Sequence, residues 1–225
     1  MNRGAGIQVV YEDDTLLVLD KPSGLLSVPG KGEDKQDCLS ARVQAVYANA
    51  LVVHRLDMAT SGLMVMARGL QAQRSLSKAF AGREVLKRYC AVVSGAMSHR
   101  PDEWGVINLP IALDWPRRPL RSIDEATGKP SLTHWQIDAQ VLSATDAVFD
   151  QSAAFTRLLL APKTGRSHQL RVHLAAIGHP ILGDTLYAPI EVQTQSARLL
   201  LHASSLTLAN PATARTMQFD SPSPF

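Results

Sequence analysis

One acidic side chain, Asp57, stands alone between Asp37 and Glu84. It sits in His54-Arg55-Leu56-Asp57-Met58-Ala59-Thr60-Ser61-Gly62, a basic and polar loop that runs straight into Leu63-Met64-Val65-Met66-Ala67. A continuous apolar run of that length, bounded by turn residues, reads as a strand buried on both faces. Any fold for this chain must build core around residues 63–67 and deliver the preceding loop to one end of it. A lone carboxylate beside an arginine at the mouth of a buried strand is either a structural ion pair or a reactive group, since ion-pair networks also perturb acidity. On these residues alone both readings stand.

The flanking segments follow from periodicity. Residues 7–19, Ile-Gln-Val-Val-Tyr-Glu-Asp-Asp-Thr-Leu-Leu-Val-Leu, are two apolar runs around an acidic turn, a hairpin pattern. Lys21-Pro22-Ser23-Gly24 and Pro29-Gly30 then turn the chain twice. This is a simple loop or, if it lines a site, one whose Lys21 faces a phosphate. Leu39, Val43 and Val46 recur at helical spacing between Asp37 and Ala50, with Asp37 as N-cap. A second helix spans Gln71 to Ala81, with Leu76, Ala79 and Phe80 inward and Gly82 as its stop. Arg74, Lys78, Arg83, Lys87 and Arg88 follow one another here, either as a solvated face or as a phosphate-binding one.

Tyr89 to Val93 alternates like a strand, where a tyrosine is ordinarily a core aromatic with a bonded hydroxyl. Residues 97–130 are turn-rich and hold Asp114-Trp115-Pro116-Arg117-Arg118-Pro119-Leu120-Arg121, which offers cations and a stacking face together. That segment is a surface loop or a grip on RNA. Leu132–Asp138, Ala154–Ala161 and a last strand over Leu199–Leu208 complete the sheet, with Asp138 to Ala154 as a surface connection. After Gly165 a helix is expected with Ser167 as N-cap, Leu170, Leu174 and Ile177 as its apolar line, and Gly178 and Pro180 as stop signals. Arg166 then lies beside a helix N-terminus, where free N–H groups and the dipole favour an anion.

Composition narrows the class. At 225 residues the chain fits one large domain or a domain with two lobes. Lys and Arg number 23 against 20 acids, and 16 of those 23 cations are arginine, which pairs bidentately with phosphate and stacks on bases. Cys38 and Cys90 follow no metal or redox spacing and point to a reducing compartment. No apolar run reaches 18 residues and residues 1–14 lack a secretory h-region, so a soluble cytoplasmic protein is expected.

The motifs themselves carry a resemblance. His-Arg-Leu-Asp-x-x-Thr-Ser-Gly at 54–62 is similar to the active-site signature of the RluA family of pseudouridine synthases. Lys21 to Gly30, Lys87-Arg88-Tyr89-Cys90-Ala91, Gly165-Arg166-Ser167-His168-Gln169-Leu170-Arg171-Val172-His173, Gly178-His179-Pro180-Ile181-Leu182-Gly183-Asp184 and Leu200-Leu201-His202-Ala203 resemble the family's other motifs, in its order. The resemblance implies a mixed α/β (α+β) pseudouridine synthase fold: a largely antiparallel, bent central sheet with flanking helices and a basic cleft. It further implies a single catalytic domain over 1–225 with no N-terminal RNA-binding module. The implied activity is isomerisation of specific uridines in structured RNA, in a 23S rRNA loop and/or a tRNA anticodon stem-loop. No cofactor, metal or membrane is expected, and the protein is expected to act as a monomer.

The same resemblance assigns roles. Asp57 is the implied nucleophile, attacking either the sugar or the uracil ring, and Arg166 the cation that keeps it ionised. Tyr89 stacks under the flipped uracil, and Arg55 wedges into the vacated stack. His54, Lys21, Lys87, Arg88, Arg117, Arg118 and Arg121 are expected on the RNA, and Ile181, Leu182 and Leu200 in an apolar pocket wall. Two other classes compete. A metallohydrolase could draw on His168, His173, His179 and Asp184, but the i, i+4 His-Glu-x-x-His pattern is absent. A non-catalytic RNA-binding or RNA-folding factor could keep the same scaffold, but it has no need of an acid in an RNA cleft.

Overall fold

The protein was analysed as a computed structural model, which describes residues 2–3, 6–98, 103–138 and 154–225. In chain order the first elements are β1 (Asn2–Arg3), β2 (Ile7–Glu12), β3 (Leu16–Lys21), α1 (Leu39–Gln44), β4 (Ala50–Val52), β5 (Ser61–Arg68) and α2 (Leu70–Ala81). Next come β6 (Leu86–Ser94), β7 (Gly105–Asn108), β8 (Ile111–Leu113), β9 (Arg121–Ile123), β10 (Leu132–Ile137) and β11 (Phe155–Pro162). The chain ends with α3 (Gln169–Ala176), α4 (Ile190–Gln193), β12 (Leu201–Ala209) and β13 (Thr216–Asp220). Few helices and mostly antiparallel strand pairs make this the expected α+β class. The surface connection expected between 138 and 154 lies outside the described residues.

The chain divides into two compact units, Met1–Lys87 with His202–Pro224, and Arg88–Leu201 with Phe225. In the first, the strand order is β1-β2-β3-β5-β12, with β4 also on β5 and β13 on β12. The expected apolar strand is β5, buried along 61–67. It pairs antiparallel with β3, from Leu16 opposite Ala67 to Lys21 opposite Gly62. The β2–β3 hairpin closes through Asp13, whose Oδ1 accepts the N–H groups of Thr15 (2.7 Å) and Leu16 (2.9 Å), an Asx turn. The core joins Leu16, Val18, Leu63 and Val65 to Leu76 of α2 and to Leu206, Leu208 and Phe219 of the last two strands, with Ala79 and Phe80 packed at its margin.

In the second unit the order is β6-β11-β10-β7, all antiparallel, and β8–β9 form a separate two-stranded hairpin. Gly178 ends α3 with φ 83°, the left-handed stop that its position implied. Gly183 also needs its missing side chain: φ is 72°, and an added Cβ would lie 1.9 Å from the carbonyl oxygen of Arg198.

Four local expectations are corrected. Helix α1 is shorter than the apolar spacing implied, ending at Gln44, and Val46 is 46% exposed. Its N-cap is Cys38, whose Sγ accepts from the N–H of Ala41, because Asp37 is held by Arg42 in an ion pair of 2.6 Å. The N-cap of α3 is His168 in a left-handed conformation (φ 57°, ψ 16°), so Ser167 precedes the helix rather than capping it. Finally, β12 does not end the sheet. Thr216–Asp220 adds a strand opposite Ser205–Ala209 and turns Phe219 into the core.

Candidate active site

In the first unit, the loop carrying Asp57 is held by its backbone. Ser27 Oγ donates to the carbonyl of Leu56 (2.7 Å) and accepts the N–H of the same residue (3.1 Å). Ser23 Oγ donates to the carbonyl of Ala59 (2.7 Å), and the N–H of Gly24 to that of Met58 (2.9 Å). Asp57 closes a turn through its own carbonyl, which accepts from the N–H of Thr60 (3.1 Å). Leu56 is buried, Arg55 exposed and Asp57 half-buried, so the loop anchors by its apolar residue and offers the two charges flanking it.

Lys21 belongs to this brace. It is 0% exposed, and Nζ donates to the carbonyls of Pro22 (2.8 Å), Leu25 (2.7 Å) and Met58 (3.0 Å). An ammonium with three donors, all turned onto backbone inside the protein, does not face a phosphate, which corrects that expectation. Lys21→Met is expected to destabilise the unit by ~3 kcal/mol, since hydrogen bonds from charged donors are worth ~1.5–3 kcal/mol. The salt dependence of RNA binding should keep its slope in that variant. A slope shallower by about 1 would mean a lost phosphate contact instead.

Downstream, Ser61 opens β5 and its Oγ lies 2.9 Å from His202 Nδ1, while His202 Nε2 lies 3.1 Å from Ser221 Oγ, which itself donates to Asp20. The parallel register sets His202 opposite Ser61 and Ala203 opposite Gly62. Gly62 has φ 107°, and a Cβ there would stand 2.6 Å from the N and 2.4 Å from the O of Ala203. No other residue fits. The loop that carries Asp57 is thus clamped at both ends.

His54 acts as a strut. Its Nε2 accepts the N–H of Val65 at 2.9 Å, and its ring stacks on Phe80 with centroids 4.3 Å apart. Burial, with the Lys87 ammonium adding to it, pushes the imidazole down to about 3. A nitrogen that accepts from an amide cannot also hold a proton, so the neutral ring is the structural form. Unfolded, the same histidine titrates near ~6.5. The folded pKa is the lower one, so the stabilisation is complete above ~6.5 and is lost as pH falls toward 3, by up to ~1.4 kcal/mol per pH unit. Acid melts of wild type should therefore be steeper than those of His54→Gln over that window. Parallel curves would contradict this role. Lys87 is half-buried, and burial together with Arg83 holds its ammonium below the usual lysine range.

In the second unit, Arg166 stands three residues before Gln169, whose Oε1 accepts both its N–H (3.1 Å) and Thr164 Oγ1 (2.7 Å). The Arg166 guanidinium reaches the carbonyl of Pro130 through Nη2 at 3.4 Å, while its Nε is buried with no hydrogen-bond partner among the described residues. An orphaned buried donor costs ~1–3 kcal/mol. Tyr89 is half-buried on β6, opposite Leu160 of β11. Arg88, next to it, lies 4.7 Å from the ring centroid of Trp104. At the tip of the β8–β9 hairpin Trp115 is 65% exposed, with the Arg118 guanidinium 3.4 Å from its ring centroid. Arg117 is paired with Asp114 (2.6 Å), and Arg121 opens β9 opposite Leu113.

The expected pocket wall is core. Ile181 and Leu182 are 0% exposed and Leu200 3%, joined by the N–H of Leu182 to Val92 O (3.0 Å) and of Leu200 to Leu182 O (3.0 Å). Side chains with no accessible surface support a site from beneath and cannot line an open one. The candidate metal ligands are also engaged. His173 lies 2.9 Å from Thr133 Oγ1 and His179 2.9 Å from Ser94 O, while Asp184 binds Arg171 through both oxygens. Among the described residues no group of three or more His, Cys, Asp or Glu could hold a metal ion. No helix of the described residues is long and apolar enough to cross a membrane.

Motif reading missed Ser23 and Ser27 as braces, although both hydroxyls lie in the Lys21–Gly30 motif. Their partners lie about thirty residues away in the chain, so no local spacing reveals them.

Comparison with known proteins settles the class. Residues 15–176 match the family described as RNA pseudouridylate synthase. The chain belongs to this family, whose members isomerise uridine to pseudouridine in RNA. It is 45% identical over 217 residues to the Dual-specificity RNA pseudouridine synthase RluA of Escherichia coli (strain K12), covering 96% of this chain and 93% of that one. The protein of the same name from Haemophilus influenzae is 41% identical over 219 residues, covering 97% and 94%. Among solved structures, Human RNA Pseudouridylate Synthase Domain Containing 1 aligns with a TM-score of 0.78 and 28% identity, over 100% of this chain and 87% of that one. The RluA-family resemblance carried by the motifs agrees with these relatives.

Proposed function

We propose that this enzyme isomerises specific uridines in both a 23S rRNA loop and a tRNA anticodon stem-loop, with Asp57 as its nucleophile. The observation that carries the assignment is the brace. Carbonyls on both sides of Asp57 are bonded to the Lys21–Ser27 segment, so the loop that carries its carboxylate is held rigid through its backbone. A preorganised carboxylate suits covalent catalysis. Asp57 attacks the target at C1′ of the ribose or C6 of the uracil, and the N1–C1′ bond breaks. The base turns and C5 bonds to C1′. The bond from Asp57 to the substrate carbon breaks to return the carboxylate, the C5 proton leaves to solvent, and N1 takes up a proton in its place. Atoms balance as an isomerisation, with no electron carrier required.

Arg166 is the proposed cation for Asp57, the role the RluA-family motif implies for it. Tyr89 is proposed under the flipped uracil and exposed Arg55 in the gap that flipping leaves. Arg88, Lys87 and the hairpin arginines Arg117, Arg118 and Arg121 are proposed on the RNA, where Trp115 adds a stacking face. The dual target is supported by the relatives' shared name and by near-complete mutual coverage. We propose the cytoplasm as the place of action and the monomer as the active form. Mapping pseudouridines in total RNA from cells with and without this protein tests the targets. Loss of one site in 23S rRNA and one in tRNA anticodon stem-loops is expected, and loss in one RNA class alone would overturn dual specificity.

A further inference from the structure

Tyr187 has no part in the chemistry above, yet it joins two segments of the second unit that do. Its hydroxyl accepts the backbone N–H of Arg121 (3.0 Å), the residue that opens β9 opposite Leu113, where the loop carrying Trp115 closes onto the hairpin. The same oxygen lies 2.6 Å from Nδ1 of His168, the left-handed residue that begins α3 two positions after Arg166. The ring is fixed independently of its hydroxyl. Asp184 Oδ1 accepts the N–H of Tyr187 at 3.2 Å, and the Arg171 guanidinium, bound to that aspartate, lies 5.1 Å from the ring centroid. The two rings of Tyr187 and His168 also meet edge to face, 5.6 Å apart and at 78°.

We propose that Tyr187 is a positioning residue that couples the β8–β9 hairpin to the turn presenting Arg166, through one shared hydroxyl. It follows that RNA seated on the hairpin tip is sensed at the catalytic turn. His168 holds a backbone conformation that non-glycine residues rarely adopt, and the Tyr187 hydroxyl adds a side-chain bond to a turn that Gln169 holds from its other side. Restraining the base of the Trp115 loop restrains Tyr187, and with it the orientation of His168 and of the turn that carries Arg166. The inference rests on the proposed roles of Arg166 and the hairpin.

The test reads kcat and KM separately on a structured RNA stem-loop. Trp115→Ala, at the tip, is expected to raise KM and also to lower kcat at saturating RNA by about fivefold. Tyr187→Phe keeps the ring, its stacking and its backbone bond, so it is expected to melt close to wild type. It should lower kcat by about fivefold to tenfold with KM changed less than about twofold. In the double variant the kcat losses should not multiply, since the tip signals through the missing hydroxyl. Three results overturn the coupling: a Trp115→Ala variant that shifts KM alone, wild-type kcat in Tyr187→Phe, or losses that multiply in the pair. The first of these needs no change at Tyr187, so a poorly folding Tyr187→Phe does not shield the proposal. If the wild-type protein itself makes no pseudouridine, the catalytic reading fails instead.

Discussion

Asp57→Asn is expected to bind RNA within about twofold of wild type while its pseudouridine formation falls by roughly 10⁴-fold or more, the scale seen when a nucleophile is removed. The substitution is nearly isosteric. The loop around it is held by carbonyls of Leu56, Met58 and Ala59 and by the clamp at Ser61 and Gly62, all of which the variant retains. A carboxamide in that rigid place cannot attack carbon, and it carries no charge for an arginine to steady. Filter binding and mass-spectrometric pseudouridine content, measured on one preparation, separate the two effects. Turnover within about tenfold of wild type would remove Asp57 from the chemistry.

Asp184→Ala is expected to be the most damaging change to stability. Asp184 is fully buried, and its carboxylate accepts from Arg171 Nε (2.8 Å) and Nη2 (2.5 Å) and from the N–H groups of Leu186 (2.9 Å) and Tyr187 (3.2 Å). Truncation strands a buried guanidinium and costs ~3–5 kcal/mol. Against a total stability of ~5–15 kcal/mol this lowers the melting temperature by about 10 °C or more. Replacing both partners with apolar residues, Asp184→Leu with Arg171→Met, should recover much of that loss, because no charge is left unpaired. Loss of less than about 1 kcal/mol in Asp184→Ala would mean that water reaches the pair.

What was legible in the chain was local. Residues 63–67 announced a buried strand because nothing polar interrupts them, and Asp13-Asp14-Thr15 announced a hairpin because an Asx turn is written in neighbouring residues. Gly178 marked the end of α3 for a similar reason, since one residue supplies the left-handed conformation. What was not legible depends on partners distant in sequence. Lys21 looked like a phosphate ligand, but the carbonyl of Met58, 37 residues on, accepts a hydrogen bond from its ammonium. Asp37 looked like a cap until Arg42 claimed its carboxylate and left Cys38 in that place. The strand at 216–220 alternates, with Phe219 buried and Met217 packed against the core, but two apolar residues in so short a run are too weak a signal to stand out. Asp57 is the instructive case. Its isolation among 45 uncharged or basic neighbours was plain in the chain, but its brace is built from Ser23 and Ser27, small hydroxyls that any loop could carry.

The direct measurement is tritium release from RNA carrying 5-tritiated uridine, with purified protein and no added cofactor, because the proton at C5 leaves only if the base is re-attached through that carbon. Time-dependent release by the wild-type chain, abolished in Asp57→Asn and matched by new pseudouridine in the product, is the expected result. An RNA that binds the protein tightly yet keeps all its tritium would contradict the account.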